Sequence, residues 1–369
     1  MRTLITNCVL VDQTHPLHKC QVNILVKDDV IESITQEPCT DFDTVIDAKG
    51  GYVSPGWIDI HVHCFQDTTD LGVEADRIGV KTGVVCVIDA GSSGSDTIDT
   101  FYNQVKDKQT IVKAWINIAK SGLIDRFELK DPDNVDIDAT IAKIQAYDDF
   151  VVGIKVRASG SVMGEDTVTP FLKAHTVSNT TNRPIMVHFG NNPPTIHEVL
   201  KQMREDDVLT HCFHGKPNNI LDGLHIKDLV LDKRKEGVLY DVGHGQDSFS
   251  FTIAKQAMSN NFEPDSISTD IHKYNVETPV GSLAGVMTKF LNMGYSLENV
   301  VHLVTLGAAN NAKLKGFGML KDGVKAHLTF FEVETVDTTA VDSNNESIQI
   351  HKQITPKGCM ISGVYTEVH

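Results

Sequence analysis

Two histidines one residue apart, His61-Val62-His63, close a short apolar run. On a strand, residues i and i+2 project to the same side, so both imidazoles can face one cation. Neutral imidazole is a common zinc ligand, although such a pair alone reads equally well as two satisfied interior histidines. His188, His211 and Asp270 stand at the ends of later apolar runs and add three more metal-capable groups. A lysine, Lys155, sits inside Val151-Val152-Gly153-Ile154-Lys155-Val156. Burying a lone ammonium costs several kcal/mol, so such a lysine loses its proton or acquires partners. A neutral amine can add CO2 to give a carbamate, a bidentate carboxylate able to bridge two cations. Taken alone, Lys155 fits better a side chain that snorkels to the surface or pairs with Asp270.

These groups share one site only if a repeating architecture brings strand ends together. Short Val- and Ile-rich runs begin near Trp57, Val84, Ile111, Val151, Pro184, Asp207, Gly237 and Ser266, each followed by a segment able to form a helix. Continuous apolar runs alternating with helices indicate buried parallel strands. Eight such units over about 250 residues match an α/β fold of the (β/α)8, or TIM, barrel type. A doubly wound sheet would need a phosphate-binding turn, and Gly91-Ser92-Ser93-Gly94-Ser95 is a weak one. In a barrel, chemistry sits at the C-terminal ends of the strands, where His61, His63, Lys155, His188, His211 and Asp270 all fall.

The flanks read differently: Thr3–Leu10 and Val22–Lys27 precede Val30–Ile34, whose alternation is typical of half-buried antiparallel strands, and the stretch from Lys325–Phe331 through Tyr365 also looks stranded. Each end is too small to make a core alone, so the two are expected to pair into one small β-sandwich-like domain. The expected organisation is residues 1–54 and 319–369 for that domain and 55–318 for the barrel.

Bulk properties narrow the partners. Among 369 residues, 33 Lys+Arg stand against 49 Asp+Glu, a formal net charge of −16, which argues against general nucleic-acid binding. No run approaches the roughly 18 apolar residues of a membrane span. Met1–Asn7 lacks the apolar core of a signal peptide, and the seven cysteines are scattered with no CxxC pair. A cytoplasmic protein with reduced thiols is expected, acting on a small molecule, with a homo-oligomer allowed.

Pro55-Gly56-Trp57-Ile58-Asp59-Ile60-His61-Val62-His63 resembles the first-strand signature of the amidohydrolase superfamily. The later histidines, the lysine and the aspartate match its binuclear branch, and the resemblance covers nearly the whole chain. It implies one metal held by His61, His63 and Asp270 and another by His188 and His211. Carboxylated Lys155 and a hydroxide would bridge two Zn2+ ions; zinc suits this mixed N/O set better than manganese or iron. The implied reaction is attack of that hydroxide on an amide or ester carbonyl, with Asp270 as general base and acid. One departure is His327, where many relatives carry Asp.

Arg157 shares the face of Lys155 and could hold a substrate carboxylate or the developing oxyanion, or be a salt-bridged rim arginine. Asn192, with Asn191, could bind substrate or cap the next helix. His244, between two glycines in Asp241-Val242-Gly243-His244-Gly245, and Tyr274 are expected to line the pocket. Cys64 is a plausible neighbour, and His214 and His272 are expected near the ligands without being ligands. Dihydroorotases usually carry an arginine two residues after the HxH, and here that position is Phe65. Deaminases of the family generally carry an HxxE motif, whereas Phe189-Gly190-Asn191-Asn192 follows His188. Gly153–Ser159, His211–Gly215 and Asp241–Gly245 resemble a dihydroorotase-like branch associated with deacetylase activity. The resemblance therefore implies removal of an acetyl group from a small carboxylate-bearing amide or ester. A cyclic-amide hydrolase is the alternative, and a non-catalytic scaffold is disfavoured because all six metal-capable residues are present.

Overall fold

The structure, a computed structural model, describes residues 1–164 and 166–369. Five short strands come first: β1 (Arg2–Leu10), β2 (Gln21–Lys27), β3 (Val30–Thr35), β4 (Thr44–Asp47) and β5 (Tyr52–Pro55). The chain then enters β6 (Trp57–Val62), β7 (Val84–Ala90), β8 (Ile111–Asn117), β9 (Val151–Ala158), β10 (Ile185–Phe189) and β11 (Val208–Thr210). A small hairpin of β12 (Leu221–Asp222) and β13 (His225–Ile226) precedes β14 (Leu239–Tyr240).

The strands from β6 to β11, with β14, form a seven-stranded parallel sheet in sequence order, as the apolar runs require. Every residue of β6 and β7 is buried, because helices cover one face while the sheet curls over the other. The eighth unit is present but irregular. Residues 266–271 close the barrel through single bridges, Asp241 to Ser266 on one side and Val62 to Ile271 on the other. Side chains replace part of the ladder there: Asp59 Oδ1 accepts the Thr269 N–H at 3.1 Å, and Ser268 Oγ accepts the Gly243 N–H at 3.1 Å. The run Ser266-Ile-Ser-Thr269 is thus a strand whose hydrogen bonds are shared with buried carboxylates and hydroxyls, which shortens its regular part.

The two ends of the chain do pair. Strands β15 (Leu328–Val341), β16 (Ser347–Ile361) and β17 (Val364–Glu367) join β1–β5 in one mixed eight-stranded sheet, with β15 beside β5. Its core takes Ile5, Leu10, Val22 and Ile24 from one end and Leu328, Phe330 and Met360 from the other. The β15–β16 hairpin is longer than this sheet needs. Its tip, Asp342–Glu346, reaches the barrel, where Asp342 Oδ2 accepts the Phe251 N–H at 2.9 Å and the Ser343 N–H meets the Phe249 carbonyl at 3.1 Å. Among the described residues, no helix is long and apolar enough to cross a membrane.

Candidate metal centre

The ends of β6, β9, β10 and β11, with the residue after the eighth segment, bring the expected side chains together. Among the described residues, ligand atoms of His61, His211 and Asp270 lie within 4.8 Å of one another. Asp270 Oδ1 is 3.0 Å from His63 Nε2 and 3.4 Å from His61 Nε2. The His188 ring stands edge-on to His211, centroids 4.4 Å apart. Lys155, 1% exposed, places Nζ 3.1 Å from His61 Nε2 and 3.5 Å from Met186 Sδ.

Hydrogen bonds fix which ring nitrogen faces the centre. Thr210 Oγ1 donates to Asp241 Oδ2 at 2.7 Å and lies 2.9 Å from His61 Nδ1. Its only proton is thereby used, so His61 Nδ1–H must donate to it, leaving the Nε2 lone pair to the site. Asp241 accepts from Ser266 and Ser268 as well, each at 2.6 Å. Three hydroxyls thus hold a carboxylate that is fully buried. His63 Nδ1 meets Ser92 Oγ at 2.9 Å, and the Ser92 backbone N–H donates to buried Asp89 at 2.7 Å. His211 donates from Nδ1 to the Gly243 carbonyl at 2.7 Å, so its Nε2 is buried with no partner. An unpartnered buried nitrogen costs on the order of 1–3 kcal/mol, which a bound cation would remove. Second-sphere contacts of this type orient metal-binding histidines. The donor set therefore fits a borderline divalent cation.

Backbone conformation contributes. His211 (φ 67°) and Asp270 (φ 48°) both occupy the left-handed region, sparsely populated by side-chain-bearing residues. Gly245 lets the loop pass close by: a Cβ there would lie 2.5 Å from Asp270 Oδ2.

The charge states follow from burial. Burial pushes His61 and His188 well below the ordinary histidine value, helped in both by the neighbouring basic groups, so both rings are neutral. The Lys155 amine falls to about 7, mainly through burial. Burial alone would raise Asp270, yet its hydrogen bond to His63 and the field of the surrounding histidines hold it at about 2.

The outer residues are distributed differently. Arg157 Nη1 lies 3.1 and 3.0 Å from the two oxygens of Glu128, a carboxylate with 0% exposure, so the ion-paired alternative is the arrangement present. Burial raises Glu128, and the arginine opposes that rise. His244 is fully buried and stacks on Phe249. Its Nδ1 bonds the Gly245 carbonyl at 2.9 Å and its Nε2 meets Lys289 Nζ at 2.8 Å, so both ring nitrogens are engaged within the protein. It belongs to the loop whose Gly245 abuts Asp270. Tyr274 stands at the rim, half exposed, with its hydroxyl on Asp70 at 2.6 Å. Asn191 and Asn192 are exposed on the loop after β10. Cys64 is buried, its thiol pushed well up by burial, and its N–H meets Asp89 at 2.8 Å. His214 packs on Phe189 and His272 lies 6.4 Å from the His63 ring, both beside the centre.

Sequence reasoning missed Thr210, Asp241, Glu128 and Lys216. Thr210 and Asp241 carried a usable signal, since each adjoins a strand end in the barrel register. Lys216 follows His211 by a few residues in His211-Cys-Phe-His214-Gly215-Lys216, a loop that a barrel places at the catalytic face.

No family profile matches the chain. It is 41% identical over 318 residues to a deacetylase of Enterococcus faecalis, covering 85% of this chain and 86% of that protein. A deacetylase of Brucella anthropi is 35% identical over 321 residues, covering 86% and 80%. Among solved structures, one described as an adenine deaminase matches with a TM-score of 0.94 at 37% identity, covering 99% of both chains. One described as a dihydroorotase matches at 0.92 and 31% identity, covering 100% of this chain and 98% of the other.

Proposed function

This chain belongs to the amidohydrolase superfamily, and on that premise we propose that it is a metal-dependent deacetylase acting on a small carboxylate-bearing amide or ester. The observation that carries the reading is the convergence of His61, His211 and Asp270, with the unpartnered His211 Nε2 among them. His61, His63 and Asp270 would hold one Zn2+ and His188 and His211 a second, with a carbamate on Lys155 between them. Bound there, the cations would polarise the scissile carbonyl and bring the pKa of water toward about 7.

The chain's own residues do the rest. The buried, weakly basic Lys155 amine is a nucleophile for CO2 near neutral pH, as carbamate formation requires. Asp270, ionised, takes the proton of the attacking water on a carboxylate oxygen and returns it to the departing nitrogen or oxygen. Thr210 and Gly243 keep the His61 and His211 imidazoles in one tautomer while this happens.

A cyclic-amide hydrolase is the second reading, favoured by the likeness to a dihydroorotase. Deamination finds less support, because the HxxE helix motif is missing after His188. Side-by-side assay of N-acetyl amino acids, O-acetyl hydroxy acids, dihydroorotate and hydantoins on zinc-loaded protein separates the readings. The expected outcome is turnover of the acetyl compounds alone. Asp270→Asn should keep bound metal yet lose about 100- to 10,000-fold in kcat. An Asn variant with near-normal kcat would overturn the base assignment.

A further inference from the structure

The deacetylase reading asks for a group that recognises the substrate's carboxylate, and Arg157 is already paired with buried Glu128. A second cation faces the centre. Lys216 lies in the loop after β11, part-buried, and no described carboxylate makes an ion pair with it. A point at the Cβ position of Gly190 would be 3.3 Å from Lys216 Nζ and 3.8 Å from His188 Nε2. The ammonium and the imidazole thus converge on the same small space, which the glycine leaves open. Burial lowers the amine from the ordinary lysine value, and the fields of Asp247 and Asp270 oppose that fall.

The loop that carries Lys216 is held in place. Its backbone N–H donates to His214 Nδ1 at 3.1 Å, and the His214 ring packs on Phe189 with centroids 4.5 Å apart. Asn218 Nδ2 donates to the carbonyls of Gly190 (3.2 Å) and Pro194 (3.1 Å), tying the two loops that flank the open space. An ammonium held on a tied loop, over a glycine and beside a candidate metal ligand, is a preorganised receptor for an anion.

We propose that Lys216 is the residue that binds the carboxylate of the substrate and so selects acids over their neutral analogues. The proposal rests on the deacetylase reading for its substrate class, but not for its test. A charge-assisted hydrogen bond at a partly desolvated site corresponds to roughly 10- to 100-fold in affinity.

The experiment compares N-acetylalanine with N-acetylalanine amide, both enantiomers, on zinc-loaded wild type, Lys216→Met and Lys216→Arg. Turnover gives kcat and KM, and calorimetry gives binding without turnover. Wild type is expected to prefer the acid in both measurements. In Lys216→Met that preference should collapse through a rise of roughly 10- to 100-fold in KM and Kd for the acid. The amide should change far less, and Lys216→Arg should restore part of the preference. A Met variant that keeps the wild-type preference, or loses acid and amide equally, overturns the proposal. If wild type hydrolyses neither compound but binds the acid through Lys216, the deacetylase reading falls and the anion site stands. If wild type hydrolyses acid and amide alike, the anion site falls and the deacetylase reading stands. Absence of both turnover and acid preference removes both.

Discussion

At the scale of single residues, the centre depends on groups that never touch a cation. Thr210 links His61 to Asp241, and its hydroxyl has one proton and two neighbours that compete for it. Because buried Asp241 takes that proton, His61 is fixed with its Nε2 lone pair toward Asp270 and Lys155. Thr210→Val has the same shape but neither accepts nor donates, leaving His61 Nδ1 without an acceptor while Asp241 Oδ2 keeps only the Ser268 hydroxyl. We predict a loss of metal affinity of about 10- to 100-fold, with Thr210→Ser close to wild type. Competition with a chelator, followed by metal analysis, measures it; equal affinities in Val and wild type would remove Thr210 from the centre. The candidate ligands were legible in sequence because strand ends in a barrel are periodic, and His61, His63, Lys155, His188, His211 and Asp270 occupy such ends. Their supporting groups were legible only as neighbours of strand ends, not as partners. A threonine before a histidine becomes a relay only when Asp241, one strand away, is placed beneath it. Glu128 is similar: its pairing with Arg157 joins the loop after β8 to β9, and no spacing encodes it.

At the scale of elements, the β15–β16 hairpin does more than extend the terminal sheet. Asp342, 1% exposed, accepts N–H groups from Phe251 (2.9 Å), Asn344 (2.8 Å) and Glu346 (2.9 Å). Ser343 Oγ donates to the Gly245 carbonyl at 3.0 Å and accepts the Phe249 N–H at 3.2 Å. The hairpin therefore clamps the segment that carries His244 and Gly245, and Gly245 abuts Asp270. Replacing Asp342 by Ala leaves the Phe251 amide buried without an acceptor, a cost of about 1–3 kcal/mol. The expected result is a lower urea midpoint together with faster hydrogen exchange at Phe249 and Phe251. An unchanged midpoint would show that the tip merely rests on the barrel. The strands of this hairpin were legible in part, since the stretch from Lys325–Phe331 onward looks stranded, but their reach was not. Asp342-Ser343-Asn344-Asn345 reads as an exposed turn, and only tertiary packing gives Asp342 three amides to accept. The eighth barrel strand was legible for the opposite reason. Its apolar and small residues announce a strand, while its shared hydrogen bonds keep it irregular.

At the scale of the whole molecule, the terminal sheet and the barrel are joined at a histidine that must stay neutral. The His327 ring stacks on Phe317, with centroids 4.9 Å apart and planes 5° from parallel. Its Nδ1 accepts the Ser362 N–H at 3.3 Å, and its carbonyl accepts the Gly56 N–H at 2.9 Å, just where β5 gives way to β6. This is the position at which the family resemblance led to an expected Asp, and the partners found here lie in the junction between sheet and barrel. Burial, followed by the nearby Lys325 charge, lowers the ring from 6.5 to about 4. The unfolded chain thus binds a proton in this interval that the folded chain does not. Stability from this group is complete above 6.5 and falls as the pH drops toward 4. At about 1.36 kcal/mol per pH unit, the loss is at most about 3 kcal/mol. His327→Asn supplies an amide oxygen for the Ser362 N–H and does not titrate. We predict that urea midpoints of wild type fall more steeply from pH 6.5 to pH 4 than those of the Asn variant, while the two curves run parallel above pH 7. Parallel curves throughout would mean that His327 ionises freely and that the junction tolerates its charge.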